Sequence, residues 1–305
     1  MNTSHLAHFI LFLGPLLVVP LGLRLLKQAQ RFPFPTDYRS PSGIGWLIAV
    51  SMLAASLILP AGPLAAGLAT PWLIVTLLLA LFGTRWILKD IRDLNADFSM
   101  AAALVLVAVG GGWTLASRAG LRPAGFSDQI VMLTGVHFHY AGFALPLLTG
   151  WTVRQLELSS EPPGLQKTNT SRGWRRLLVT SIVCGVPLVG LGITFSPLLE
   201  VVASGLLTLA ACSLAVIQSL VAQHPAHAER RGLLWVSSIS LFCGMTLAIT
   251  YAAGEYLKAP LLTIPTMIPL HGIANAIGFS LCGLLAWNLP ETDLTMSGGS
   301  ADDDT

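Results

Sequence analysis

Two short stretches hold most of the reactive side chains that lie inside apolar sequence. The first, TGVHFHYAGFALPLLTG (134–150), carries His137, His139 and Tyr140. The second, LHGIANAIGFSLCGLLAW (270–287), carries His271 and Asn275. Imidazole, phenol and amide groups in oily surroundings suit proton transfer, orientation of a substrate by hydrogen bonds, or bonding between helices. Glu255 adds a carboxylate a short way upstream of the second stretch. His271 and Asn275 are four apart and share one helix face, which Gly278 and Cys282 continue with small residues. His137 and Tyr140, three apart, also share a face. His137 and His139 stand about 200° apart around a helix, so both reach one small site only where the helix is unwound. Gly135 and Gly142 flank the pair and permit unwinding. The reading is that one histidine faces a site and the other bonds a neighbouring helix.

The elements that must position these groups are membrane spans. Of 305 residues, 53% are hydrophobic and only 10% are charged, against about 25% charged in a soluble domain. Mean hydropathy is +0.71. A span takes roughly 20 apolar residues, which predicts helices over 5–26, 46–62, 71–88, 101–120, 130–153, 177–196, 197–223, 233–257 and 264–289. The fold class expected is therefore all-α, a polytopic transmembrane bundle of about nine spans. PAGPLAAGLATP (60–71) and TFSPLLE (194–200) supply the breaks in two runs too long for single helices. Nine spans place fourteen Lys and Arg residues on one side and three on the other. The excess of positive charge on the inner side then sets the N-terminus outside and the C-terminus in the cytoplasm. The first run lacks a basic flank and a cleavage site and reads as a retained span, not a signal.

One transmembrane domain is expected over 1–289. It comprises a five-span part (1–153), a cytoplasmic loop (154–176) and a four-span part (177–289), with an acidic disordered tail at 290–305. No internal repeat joins the halves, unlike the inverted-repeat plan of many transporters. A net charge of +2 and the absence of basic tracts exclude nucleic acid as a partner. Expected partners are the lipid bilayer and an apolar small molecule or lipid; oligomeric state is left open.

Orientation assigns depth. His137 and His271 each lie seven residues into a span that enters from outside, about 10 Å down. Glu200, Glu255, His5 and His8 fall at outer span ends. The polar groups of five spans thus gather in the outer half of the membrane. His5 and His8 read as interfacial, Glu200 as an acid at a helix N-terminus after Pro197, and His224 and His227 as loop residues. Trp46, Trp72, Trp151, Trp235 and Trp287 read as an interfacial belt. Cys184, Cys212, Cys243 and Cys282 lie in apolar runs without a CxxC pair, as core or lipid-facing residues.

His137, His139, His271 and Glu255 are ligand types suited to zinc or iron. No HExxH, HxxxH or carboxylate-rich histidine box occurs, so no metal and no cofactor is assigned. No GxSxG nucleophile signature occurs either, which disfavours covalent acyl chemistry.

VHFHYAGFALPLLTG followed much later by LHGIANAIGFSLCGLLAW resembles the YndJ-like bacterial membrane proteins. The likeness runs over most of the chain and is densest in those two segments. It implies a multi-pass protein of the bacterial inner (plasma) membrane, with His137, His139, His271, Gly272 and Asn275 on the family's recognisable positions. It supplies neither a substrate nor a reaction.

The residues themselves suggest an intramembrane enzyme acting on a lipid or isoprenoid-type substrate in a pocket in the outer half of the membrane. His137, His271 and Glu255 would do acid–base work in isomerisation, cyclisation or hydrolysis. His139, Tyr140 and Asn275 would orient the reacting group. The alternatives are a proton-coupled small-molecule transporter using the same cluster, and a structural or assembly protein in which the polar groups only fix helix packing.

Overall fold

The computed structural model describes residues 3–31, 41–89, 94–158, 169–223 and 228–290. The acidic tail beyond 290, the histidines 224 and 227 and the middle of the proposed loop lie outside the described residues. The described chain is helical, without strands. Its helices are α1 Thr3–Gln28, α2 Pro41–Ile58, α3 Pro63–Lys89, α4 Ala96–Ala119, α5 Asp128–Leu158, α6 Asn169–Phe195, α7 Pro197–Val221, α8 Ala228–Tyr256 and α9 Ile264–Asn288. Eight are long and apolar enough to cross a bilayer; the apolar run of α2, Gly43–Ile58, is shorter. At 1.5 Å per residue α2 still measures about 27 Å, close to a hydrocarbon core of about 30 Å.

Local sequence explains where these helices begin and end. Pro63 and Pro197 open α3 and α7, where a missing N–H costs nothing. The side chains of Asn95, Ser127 and Ser196 accept backbone N–H bonds from Phe98, Ile130 and Leu199 at the starts of α4, α5 and α7. Gly120, at φ +72°, closes α4 in the left-handed conformation that favours glycine. The break between α2 and α3 falls at 59–62, at the start of the expected PAGPLAAGLATP segment. Consequently α3 begins eight residues before the span expected from 71, and Pro71 lies inside it. Trp72 becomes an interior residue, fully buried, instead of part of an interfacial belt. Trp151 and Trp287 are buried too, edge to face with ring centroids 6.4 Å apart. Trp235 remains exposed. Helices α5 and α6 both extend into the segment expected as a loop, to Leu158 and from Asn169.

Successive helices pack side by side, and α9 returns to α1, closing the bundle. One end is tied by Asp97, which pairs with Arg31 at 2.7 Å and lies 3.8 Å from Arg154. There Arg230 donates to the Leu289 carbonyl and Asn288 to the Leu21 carbonyl. At the opposite end the Arg118 side chain donates to the Leu59 carbonyl, while its backbone carbonyl accepts from the Gly62 N–H. Arg122 and Asp128 form a bidentate pair nearby.

Three helices depart from regular geometry. α1 widens into a π-helical turn at Gly14–Val18, α5 at Tyr140–Ala144, and α9 at Ile268–Gly272 and Ala274–Leu281. Prolines 15 and 269 lie in two of these turns and Pro146 follows a third, so those three widenings sit where an N–H is missing from the ladder; Ala274–Leu281 contains no proline. The widened segments of α1, α5 and α9 touch one another. Turns of this kind concentrate at functional sites.

Candidate functional site

The two histidines of α5 have opposite fates. His139 is fully buried. Its Nδ1 lies 2.7 Å from the Gly135 carbonyl, which only accepts, so Nδ1 carries the proton. Its Nε2 then accepts the Trp72 Nε1–H at 2.9 Å, across to α3. The imidazole and indole rings stack with centroids 5.7 Å apart. Both ring nitrogens are used and the ring is neutral. Gly110 of α4 makes room for it: a Cβ there would lie 2.9 Å from Nδ1. The role expected for His139 in binding substrate is therefore not available in this geometry; it bonds α5 to α3. Tyr140 is likewise committed. Its hydroxyl, buried, donates to the Ile10 carbonyl at 2.7 Å and ties α5 to α1.

His137 points elsewhere. Its Nε2 is buried and has no hydrogen-bond partner among the described residues. His271 of α9 lies within electrostatic range of it. His271 Nδ1 stands 2.8 Å from the Gly244 carbonyl of α8 and so donates to it, which leaves Nε2 as the ring's unprotonated atom. Asn275 holds the same turn. Its amide donates to the His271 carbonyl at 2.9 Å, and the 3.2 Å approach of that amide to Nδ1 brings together two donors and is no bond. Gly244 is required because a Cβ there would overlap the Asn275 amide. Thus α5 presents an imidazole whose Nε2 has no partner among the described residues, within electrostatic range of one on α9 whose orientation is fixed.

Glu255 does not join them. It is exposed near the end of α8, eleven residues from Gly244, which is about 16 Å along a helix. Its electrostatic neighbours are Glu200 and Tyr251. The expected trio of His137, His271 and Glu255 is thereby reduced to the two histidines; helix length separates the carboxylate from them. Among the described residues no three His, Cys, Asp or Glu side chains gather as metal ligands.

Two residues of this region escaped the sequence. Trp72 is 67 positions from His139, and no local pattern links them. Arg118, near the end of the span expected over 101–120, counted only as one of the three cations of the outer side, yet it is 5% exposed within α4. A small cleft lined by Trp86, Asp97 and Phe98 lies at the opposite end of the bundle from Arg118.

Comparison with known proteins follows the same residues. The profile of the family described as YndJ-like protein matches residues 9–279, which include the whole of the first histidine segment and the part of the second that carries His271 and Asn275. An uncharacterized membrane protein YndJ of Bacillus subtilis (strain 168) is 29% identical over 228 residues, 74% of this chain and 39% of that protein. The chain thus spans well under half the length of that relative. No solved structure matches it.

Proposed function

The chain belongs to the YndJ-like family, and from that premise and the geometry above we propose an intramembrane enzyme acting on a lipid or isoprenoid-type substrate. It spans the bacterial inner membrane nine times with its N-terminus outside. The supporting pattern is the clustering of basic residues at the end tied by Asp97. His137 and His271 do the acid–base work. The Gly244 carbonyl sets the tautomer and direction of His271, and Asn275 holds the turn that carries it.

One observation carries this reading: a buried Nε2 on His137 without a partner among the described residues, within electrostatic range of a second imidazole held in a defined tautomer. A histidine serving only to glue helices is satisfied by its neighbours, as His139 is. One that has yet to make its bond is suited to a substrate. A positioned general acid or base contributes typically 10²–10⁴-fold to a rate, a scale a pair without a carboxylate can supply. Isomerisation and hydrolysis both need a proton removed at one atom and delivered at another.

Proton-coupled transport is the second reading, favoured by the widened turns in three touching helices, which suit a hinge. The test separates the two. A deletion strain is compared with one restored by the wild-type gene, by untargeted lipid analysis and by pH-driven solute flux in membrane vesicles. A changed lipid or isoprenoid class with unchanged flux supports the enzyme. Changed flux with an unchanged lipid profile replaces it with the transporter.

A further inference from the structure

The buried cation at the Asp97-distal end of the bundle has no counter-ion among the described residues. Arg118 is 5% exposed, and its Nε is buried without a hydrogen-bond partner. One N–H clasps the Leu59 carbonyl, a task that any neutral donor performs. The nearby carboxylate of Asp128 is taken by Arg122 through both oxygens, at 2.7 and 2.8 Å. No ion pair joins Arg118 to an acid among the described residues. Its charge is felt by His8, half-buried on α1, which also feels the exposed His5 three residues away. A largely buried guanidinium whose Nε lacks a partner, with an imidazole in range and no paired carboxylate among the described residues, is an arrangement that an anion completes.

The geometry points to a binding site for the phosphate of an anionic lipid headgroup at Arg118, with His8 of α1 in range of it. This deepens the enzyme reading and rests on it for the substrate's identity. A lipid is favoured over free phosphate because the site lies on the same α4–α5 seam as His137, nearer the end of the bundle. Arg118 stands one turn beyond Thr114, Thr114 packs on Gly135, and His137 lies two residues deeper on α5. The vertical offset is about 9 Å. A phosphate anchored at Arg118 leaves the first bonds of its apolar chain, or the ester below the headgroup, level with His137 and His271. α1 connects the two levels. One turn or less below His8, the Ile10 carbonyl holds Tyr140, and the Ile10 side chain faces Gly272 beside His271. The substrate class is therefore a lipid phosphate that reacts a short way in from its headgroup.

The test uses the full-length protein in nanodiscs of phosphatidylcholine with or without phosphatidic acid, reading bound lipid by native mass spectrometry and the unfolding temperature. The wild type retains phosphatidic acid in preference to phosphatidylcholine and is stabilised by it. Inorganic phosphate alone displaces it poorly. His8→Gln and Arg118→Gln each weaken the preference roughly tenfold, as expected for loss of one charge-assisted bond, and Arg118→Lys restores most of it. Equal retention of both lipids by the wild type overturns the proposal. So does an undiminished preference in His8→Gln, a variant that leaves the Leu59 clasp intact and decides the matter even where Arg118→Gln does not fold. Inorganic phosphate binding as well as the lipid overturns the lipid assignment. His137→Gln keeps the preference. Phosphatidic acid bound selectively by a protein whose deletion changes no lipid sinks the enzyme reading alone; a changed lipid profile without selective binding sinks this site alone.

Discussion

A histidine's role here is decided by what its two nitrogens already touch. His139 and His137 are two residues apart in the same apolar segment, and sequence alone separates them only as facing different ways. The structure shows one ring saturated by Gly135 and Trp72 and the other lacking a bond at Nε2. Trp72→Phe, which keeps an aromatic ring but removes the donor, strands a buried acceptor. It is expected to destabilise the protein by about 1–3 kcal/mol, read as a lower unfolding temperature in detergent, while the lipid profile of the cell stays that of the wild type. No loss of stability would mean that the indole bond is not formed. Asn275→Ala removes a single bond, worth about 0.5–1.5 kcal/mol, and releases the turn that carries His271. Its expected signature is a folded protein with impaired function, and unaltered function would remove Asn275 from the positioning of His271.

At the scale of the helix, the segments richest in reactive residues are also those that leave α-helical geometry. Pro15, Pro146 and Pro269 sit in or beside widened turns, and those turns meet where α1, α5 and α9 touch. The sequence shows Gly135 and Gly142 around His137 and His139, and from these it suggests local unwinding of that one segment. It does not show that the unwound turns meet, because their contacts join positions more than a hundred residues apart, as in the Tyr140–Ile10 bond. Close approach is a second element-scale requirement. Gly110→Ala sets a methyl group 2.9 Å from the His139 ring, and the α4–α5 seam must open to admit it. Overpacking of this kind costs about 1–3 kcal/mol, so a reduced unfolding temperature is expected. An unchanged one would show that the seam has slack.

For the whole molecule, apolar run length and the asymmetry of Lys and Arg made the bundle legible. The helix break at Pro197 was legible because proline at a first turn has a fixed meaning; the break before α3 was placed only within 60–71, and the helix starts at Pro63 rather than 71. Tertiary position was not legible: Trp72 and Arg118 sit near span ends in the sequence, where a belt residue and an outer-side cation are the ordinary readings, yet both are buried. Glu255 failed for the complementary reason. Its nearness to His271 along the chain does not survive the about 16 Å of helix between it and Gly244. The topology is checked by cysteine labelling in a background lacking the four native cysteines. Leu121→Cys, in the exposed turn after α4, is expected to react with an impermeant maleimide on intact spheroplasts, and Gln223→Cys only after permeabilisation. The reverse pattern would invert the assigned orientation. The most direct test of the histidine pair is the lipid profile of the deletion strain carrying, in parallel, His137→Gln, His271→Gln or Glu255→Gln at matched expression. The two histidine variants are predicted to leave the deletion profile in place while Glu255→Gln restores that of the wild type; restoration by both histidine variants would contradict the account.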